Sequence, residues 1–318
     1  MWFAPFTFTK VAMFAVLLLV AMVPLFDYFF GTGFYLDVGT RLACLAIAAI
    51  GLNLAVGYGG MISFGHAAFI GIGAYSVGIP TYYGIDNGFV HLALAITSSA
   101  LFALVTGAIS LRTRGVYFIM ITLAFAQMVY FAFVSIEEYG GDDGLVIETR
   151  SDFMGLPSLE NNLTLFIFCY LSLVIILFLI HRLSRSRFGL VLRGAKDNER
   201  RLQAMGYSTF GYQLTAYVIS GVICGYAGAL LGNFTNFITP EMMDWTRSGE
   251  LLFMVALGGV GTLSGPLLGA VAIVVLEELF STWTVYWQFF LGLTLIVTVL
   301  YASGGINGIL SRWGFRNE

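Results

Sequence analysis

Charged residues are scarce in this chain of 318 residues. They make up 10% of it, whereas soluble globular domains carry about 25%. The mean hydropathy is +0.88, and 58% of the residues are hydrophobic. A chain this apolar exposes more hydrophobic surface than one aqueous core can hide, so the composition excludes a soluble globular protein and indicates lipid as the solvent. The formal net charge of −3 carries no basic excess, so we expect no nucleic-acid partner.

Cysteine and histidine are also rare, with three of each. The cysteines lie in separate apolar runs, where they are expected to pack as small hydrophobic residues. The histidines are far apart in the chain, and the motifs H-E-x-x-H and C-x-x-C are absent, so no metal site and no catalytic residue are expected. The phosphate-binding motif G-x-x-x-x-G-K-[ST] is absent as well. We therefore expect no cofactor in this chain and no hydrolysis of nucleotide by it.

Long apolar runs take the place of the missing charge. Roughly 20 residues of helix cross a hydrocarbon core of about 30 Å, and backbone exposed to lipid must form its hydrogen bonds internally, in helices or in a closed barrel. The runs are continuous, as in VAMFAVLLLVAMVPLF, and do not alternate with polar residues, which favours helices. The prediction is an all-α polytopic transmembrane bundle of about eight to ten segments, forming a single domain over residues 1–318. The first run is expected to be a retained helix and not a signal peptide.

The apolar segments lie near residues 11–30, 39–57, 64–83, 90–110, 116–135, 161–181, 213–232, 250–258, 266–281 and 285–303. The short pair within 250–281 fits either two thin spans or a re-entrant pair, and both leave the orientation unchanged. With the N-terminus in the cytoplasm, only Arg41, Arg150 and Arg247 of the 15 lysines and arginines fall outside. Because positive charge is enriched in cytoplasmic loops, both termini are predicted to be cytoplasmic.

Two glycine-rich interruptions resemble each other. The stretch GYGGMISFGHAAFIG, from residue 57, has an echo in ALGGVGTLSGPLLGA, from residue 256. Each has a glycine cluster, then a serine and a glycine, then an apolar helix. Paired interruptions of this kind are typical of a transport site, since broken backbone at membrane depth is tolerated where protein covers it or where it lines a watery cavity. The candidate pathway residues are Asn53, Gly59, Gly60, Ser63, Gly65, His66, Gly258, Gly259, Gly261, Ser264 and Gly265.

Each candidate also has a structural interpretation. Ser63 and Ser264 could cap half-helices whose positive ends face a substrate carboxylate, or they could be caps with no ligand. His66 is an ionisable residue inside a membrane segment, or a packing histidine bonded to a neighbouring group. Asn53 and Gln127 are polar groups within spans, where an interhelical hydrogen bond is the first alternative to contact with solute. The glycines could serve only close helix packing.

Two connections are too long to be simple turns. The outer one, about 136–160, is acidic, and could either be solvated or receive basic groups of an external protein. The inner one, about 182–212, is basic and contains RGAKDNERRLQAMGYS, in which a short amphipathic helix is predicted to end at Gly206. Scattered charge would be enough to fix topology, so a patterned helix favours docking of a cytoplasmic partner. Asp197, Asn198 or Glu199 could lie in its early turns.

At these residues the sequence resembles the LivM-like permeases of branched-chain amino acid ABC transporters. The resemblance is carried by GLNLAVGYGGMISFGHAAFIGIGAY, by SRFGLVLRGAKDNERRLQAMGYSTFGYQLTAYVISGVICGYAGAL and by LLFMVALGGVGTLSGPLLGA, and it covers about residues 40–303. It implies a LivH-like second permease subunit, two cytoplasmic ATP-binding subunits that use the ATP, and a periplasmic amino-acid-binding protein. It also implies a multi-pass location in the bacterial inner membrane, in contact with lipid. By position, the coupling segment would contain Gly194, Ala195, Asp197, Asn198, Glu199, Ala204 and Gly206.

The function expected from these features is translocation of branched-chain or related amino acids by an ATP-driven importer. Permeases for urea, short-chain amides or another small solute share the same skeleton, so the substrate stays open at this point. A secondary carrier or channel without an ATPase is a second alternative. It would need an ion-coupling residue within a span, and the sequence has no convincing one. A purely structural membrane scaffold would leave the paired interruptions unexplained.

Overall fold

The structure is a computed structural model that describes residues 8–31, 33–153, 159–301 and 304–308. Outside the described residues lie both chain ends, whose cytoplasmic placement is predicted, and 154–158 of the predicted outer loop. Within the described ranges the chain is almost entirely helical, with the helices α1 Phe8–Ala21, α2 Val23–Phe30, α3 Phe34–Asn53, α4 His66–Tyr82, α5 Gly88–Ser110, α6 Val116–Val134, α7 Asn162–Arg185, α8 Arg187–Ala204, α9 Thr209–Thr235, α10 Trp245–Gly258, α11 Gly265–Trp283 and α12 Trp287–Tyr301.

Seven helical stretches among the described residues are long and apolar enough to cross a membrane. They comprise α1 with α2, α3 with the turn that follows it, and α5, α6, α7, α9 and α11. The apolar helices α4, α10 and α12 are shorter, at 17, 14 and 15 residues. The predicted all-α polytopic bundle is therefore confirmed, and the chain is a multi-pass membrane protein.

The first predicted segment is one apolar run but two helices. α1 ends at Ala21 and α2 begins at Val23, with Pro24 in its first turn. Proline has no N–H to donate and is tolerated in a first helical turn, where the N–H would lack an intrahelical partner anyway. The run is therefore interrupted at Met22.

Both glycine-rich stretches interrupt helices, as predicted. α3 continues into a π-helical turn over Leu54–Tyr58, and helix resumes only at His66. The second interruption separates α10 from α11, between Gly258 and Gly265. At 1.5 Å per residue α10 is about 21 Å long, shorter than a hydrocarbon core of about 30 Å. α10 alone is therefore too short for a full crossing, whereas α11, with 19 residues, is long enough.

α9 lies at the centre of the bundle and packs against α3, α4 and α5. Small residues bring these helices together. A Cβ on Gly73 of α4 would collide with the carbonyl oxygen of Gly225 of α9, and one on Gly228 would collide with the carbonyl oxygen of Ile70. Glycine at these positions lets two backbones touch, which is how helices gain contact in a medium as apolar as their own side chains.

The loops are anchored to the bundle. Beyond α6, the strands β1 (Leu145–Val146) and β2 (Phe237–Ile238) form a short antiparallel ladder that ties the predicted outer loop to the end of α9. The predicted inner loop is mostly the helix α8, which packs on α7 and α9. The predicted amphipathic helix is thus confirmed, with Gly206 following its end in a left-handed conformation, at φ +85°.

A glycine-to-alanine substitution tests the contact between α4 and α9, and the same substitution in another helix is the control. We expect Gly73→Ala to destabilise the protein by about 1–3 kcal/mol, because the new methyl group meets backbone that no rotamer change can move. Gly292→Ala in α12 is the control, since a Cβ there meets nothing within 4 Å. Thermal unfolding of the detergent-purified protein measures both. Equal midpoints for the two variants would contradict the assigned contact.

Candidate functional site

The two glycine-rich interruptions meet at the side chain of Asn53. Its Nδ2 donates a hydrogen bond to the carbonyl oxygen of Thr262 at 2.9 Å, and its Oδ1 accepts one from the N–H of Gly261 at 2.9 Å. Both partners belong to the second interruption, and Asn53 is the last residue of α3. One carboxamide, 1% exposed, therefore holds together two segments separated by about 200 residues of sequence. This contact is the interhelical bond that was the first alternative to solute contact.

The backbones also touch at this junction. A Cβ on Gly57 would collide with the Asn53 side chain and would lie 2.6 Å from the backbone nitrogen of Gly261. Gly261 itself has φ +77°, a conformation that glycine adopts without strain. Gly57 was not among the predicted pathway residues, although it belongs to the glycine cluster that signalled the interruption. The junction therefore depends on one residue that the sequence analysis passed over.

His66 lies at the start of α4 and is fully buried. Its Nε2 lies 2.8 Å from Oγ of Ser220, and that hydroxyl donates its single proton to the carbonyl oxygen of Gly51 at 2.6 Å. Nε2 must then be the donor, so Nδ1 carries no proton, and it has no hydrogen-bond partner among the described residues. The ring packs edge-on against Phe69 and Tyr217. This is the surrounding expected of a packing histidine.

The backbone at the start of α4 is satisfied by hydroxyl groups. Ser63 Oγ accepts from the N–H of Gly65 at 3.1 Å, and Ser248 Oγ of α10 accepts from the N–H of Ala67 at 2.9 Å. Thr122 Oγ1 of α6 accepts a hydrogen bond from the N–H of Phe64 at 3.3 Å. These donors therefore point to hydroxyls of the protein, and Ser63 bonds to the residue that immediately precedes α4.

At the start of α11 the cap is Thr262, not Ser264. The N–H of Gly265 donates to Thr262 Oγ1 at 3.1 Å, whereas Ser264 donates to Asn307 Oδ1 at 3.2 Å. Ser264 stands at the N-cap position of α11, but its hydroxyl makes no capping hydrogen bond, and its backbone is already helical, with φ −79° and ψ −22°, whereas a capping residue is usually extended. Thr262, three residues before Gly265, has the spacing of a cap and could have been found.

The remaining pathway candidates lie in or beside the same two interruptions. At the second, α10 and α11 approach so closely that a Cβ on Gly258 would collide with the carbonyl oxygen of Gly265. The glycines of this region are Gly59, Gly60, Gly65, Gly258, Gly259, Gly261 and Gly265. The structure thus brings the predicted candidates of both interruptions into one region of the bundle.

α8 bends at Asn198, which has the extended values φ −157° and ψ 92°. Its Oδ1 accepts the N–H of Arg201 at 3.0 Å, so Asn198 caps a second, shorter helical piece. Of the predicted coupling residues, Ala195 is buried and Gly194 and Glu199 are half-buried. The others lie exposed on this helix or just beyond it: Asp197, Asn198, Ala204 and Gly206.

Two contacts attach α8 to the bundle on either side of the bend. Lys196 Nζ donates to the carbonyl oxygen of Gly57 at 2.8 Å, in the junction itself. Glu199 pairs with Arg114, in the connection between α5 and α6, at 2.8 Å and also accepts from Thr209 at 2.9 Å. Lys196 was not among the predicted coupling residues. A lysine between two of them carried no signal, because the Gly57 carbonyl is 139 residues away.

Comparison with known proteins gives a consistent result. Residues 34–299 match the family described as "Branched-chain amino acid transport system / permease component". The high-affinity branched-chain amino acid transport system permease protein LivM of Salmonella typhimurium is 29% identical, and the match covers 85% of this chain and 69% of the relative. A probable LivM permease of Methanocaldococcus jannaschii is 26% identical, and the match covers 78% of this chain and 81% of the relative. The LivH permease of Escherichia coli is 24% identical, and the match covers 83% of this chain and 91% of the relative. No solved structure matches.

Replacing the carboxamide of Asn53 tests the junction. Asn53→Leu leaves the N–H of Gly261 and the carbonyl of Thr262 without partners, and each orphaned group costs about 1–3 kcal/mol. Gln127→Leu is the matched control, since among the described residues that amide donates a single hydrogen bond, to Asp244 Oδ1 at 3.0 Å. We expect the lower thermal unfolding midpoint for Asn53→Leu. A greater loss for Gln127→Leu would argue against Asn53 as the central contact.

Proposed function

The chain belongs to the family of branched-chain amino acid transport system permease components, and on that premise we propose that it is the membrane subunit of an ATP-driven importer of branched-chain or related amino acids. The membership confirms the resemblance that the sequence motifs indicate. The observation that carries the proposal is the contact between α8, the helix predicted to lie in the cytoplasm, and the junction of the two interruptions. Lys196 of α8 reaches the carbonyl of Gly57, where both interrupted segments meet. The proposed solute pathway would thus be in direct contact with α8, the helix proposed to move it.

The partners follow from this role. The chain has no phosphate-binding loop, so ATP hydrolysis is assigned to two separate cytoplasmic subunits that dock on α8. The curated relatives include both LivM and LivH permeases, which supports a second, LivH-like permease subunit beside this chain. A periplasmic amino-acid-binding protein would deliver the substrate to the outer side. The acidic loop after α6 is the surface that this protein would meet.

The proposed location is the bacterial inner membrane, with both termini in the cytoplasm. This orientation places α8 and the basic connection around it on the inner side, as the distribution of lysine and arginine favours. It also places β1 and β2 on the outer side. The ATP-binding subunits and α8 then lie on the same side of the membrane.

The proposed mechanism transmits a movement of α8 to the interrupted segments. Binding of ATP would bring the two ATP-binding subunits together and displace the exposed piece of α8 that follows Asn198. Glu199 would carry this movement to Arg114 and Lys196 would carry it to Gly57. The candidate pathway residues around Asn53 would then rearrange and admit the solute. A zwitterionic solute with an apolar side chain suits such a place, because backbone groups can hold both charged ends and apolar walls accept the rest.

Uptake measurements test the function. Cells that lack this chain should lose uptake of labelled leucine, and in complemented cells an excess of unlabelled isoleucine should compete with it. Urea and acetamide should not compete. The host strain must lack other leucine importers, because a second system would mask the loss. Uptake that is indifferent to the deletion in such a strain would remove leucine as the substrate, and competition by urea or acetamide would favour those solutes instead.

Coupling is tested at Lys196. We expect Lys196→Met to lower ATP-dependent uptake about tenfold, because a hydrogen bond from a charged donor contributes about 1.5–3 kcal/mol, and to leave assembly with the ATP-binding subunits unchanged. Arg187→Met, which removes an exposed positive charge from the same helix, is the control.

Glu199→Arg and Gly206→Pro should also abolish coupling. Full ATP-dependent uptake in both of these variants would refute the coupling role of α8.

A further inference from the structure

Residues 60–64 form a non-helical stretch between the π-helical turn and α4. Its side chains alternate in burial, as along a β-strand. Met61 and Ser63 are 6% and 0% exposed, whereas Ile62 is 46% exposed and Phe64 half-buried. Gly60 is exposed as well. One edge of this stretch, formed by Gly60, Ile62 and Phe64, therefore faces away from the core of the chain.

The stretch runs from α8 into the bundle, since a Cβ on Gly60 would lie 2.9 Å from Cγ of Lys196. Phe64 bonds to Thr122, six residues after the start of α6, which corresponds to about 9 Å along that helix. His66, two residues further on, contacts Ser220, eleven residues after the start of α9. Residues 62–64 thus lie beside the interior of two spanning helices.

The exposed edge carries backbone groups without partners. The N–H of Met61 donates to the carbonyl oxygen of Ala55, and the N–H of Phe64 is bonded to Thr122. By contrast, the N–H of Ile62 and the carbonyl groups of Gly60 and Ile62 have no hydrogen-bond partner among the described residues. Each such group costs several kcal/mol in hydrocarbon, so lipid cannot be what covers this edge.

Two cavities border the stretch, one on each side of Phe64. The first, of about 480 Å³, is lined by Gly60 and Ile62 and contains the charged side chains of Arg114, Lys196 and Glu199. The second, of about 790 Å³, is lined by Phe64 and contains Arg41 and Glu277, which form an ion pair at 2.7 Å, and also Glu250. Both volumes are within the range of small-ligand sites, about 300–1,000 Å³. The charged side chains of the first cavity indicate water there, whereas the second cavity is lined mostly by apolar and aromatic side chains.

We propose that the exposed edge of residues 60–64 is the narrow, water-lined wall of the solute pathway. Ile62 and Phe64 contact the apolar part of the solute, and the free backbone groups of Gly60 and Ile62 bind its polar ends. The class of ligand is a small zwitterion with an aliphatic side chain. The water-lined wall is inferred from the free backbone groups and the charged lining of the first cavity, whereas the identity of the solute rests on the proposed function. The polar residues of the junction then hold this wall in place from its buried side, and Asn53 is one of them.

Labelling of single cysteines tests the wall. The variants Ile62→Cys and Phe64→Cys are made in a chain whose three native cysteines are replaced by alanine, and are assembled into the complete transporter in open membrane fragments. The probe is the anionic, lipid-insoluble reagent sulfonatoethyl methanethiosulfonate. Val260→Cys is a third position, because Val260 is 46% exposed and lines the same cavity as Ile62 from the second interruption. It keeps the test valid if one substitution prevents assembly.

Two exposed positions on other helices serve as controls, since Leu101 of α5 and Phe178 of α7 are 67% and 61% exposed. We expect the test positions to react at least about ten times faster than Leu101→Cys and Phe178→Cys, because the thiolate forms only in water. Excess leucine should slow the reaction at Ile62→Cys and Phe64→Cys.

Three outcomes would count against the inference. Test positions as slow as the controls would mean that the edge faces lipid. Slow labelling together with oxidative cross-linking of Ile62→Cys to the second permease subunit would mean that a protein surface seals it. Fast labelling that leucine leaves unchanged would retain the water-lined wall and remove an aliphatic amino acid as its occupant. The last result separates a failure of the proposed substrate from a failure of the wall.

Discussion

The structure depends on one constraint: interrupted backbone inside a membrane must find hydrogen-bond partners within the protein. At the first interruption the partners are side chains of other helices, Ser248 and Thr122 among them. At the second, Thr262 Oγ1 accepts a hydrogen bond from the N–H of Gly265 at the start of α11. Asn53 connects the two, since a carboxamide can donate to one segment and accept from it at the same time. The interruptions are stable because the rest of the bundle supplies the hydrogen-bond partners that a continuous helix would otherwise supply.

Small residues make this arrangement possible. Gly73 and Gly225 let α4 and α9 touch along their backbones, and Gly258 and Gly265 do the same for α10 and α11. Such close approach holds short hydroxyl side chains within reach of the neighbouring backbone. Serine and threonine can then replace the water that would satisfy a helix end in a soluble protein. The glycines and the hydroxyl residues thus act together, and neither set explains the interruptions alone.

Much of the fold could be predicted from the sequence because apolar length and glycine clusters are local signals. The long helices, both interruptions and the end of α8 at Gly206 follow from residues that are neighbours in the chain. The partners of the interruptions could not be predicted in this way. Ser248 is 181 residues from Ala67, and Ser220 is 154 residues from His66, so neither pairing leaves a local pattern. The role of Thr262 was not predicted either, because backbone conformation decides which hydroxyl caps.

The bend of α8 at Asn198 separates two attachments of different physical character. The ion pair of Glu199 with Arg114 is open to solvent on the arginine side, where 69% of the side chain is exposed, so dissolved ions screen it. The bond from Lys196 to Gly57 joins a charge to a neutral backbone carbonyl, and dissolved ions screen such a bond less than they screen the attraction between two full charges. Raising the ionic strength of the medium therefore loosens the outer attachment of the helix before the inner one. The bend thus separates an attachment that salt weakens strongly from one that it weakens less.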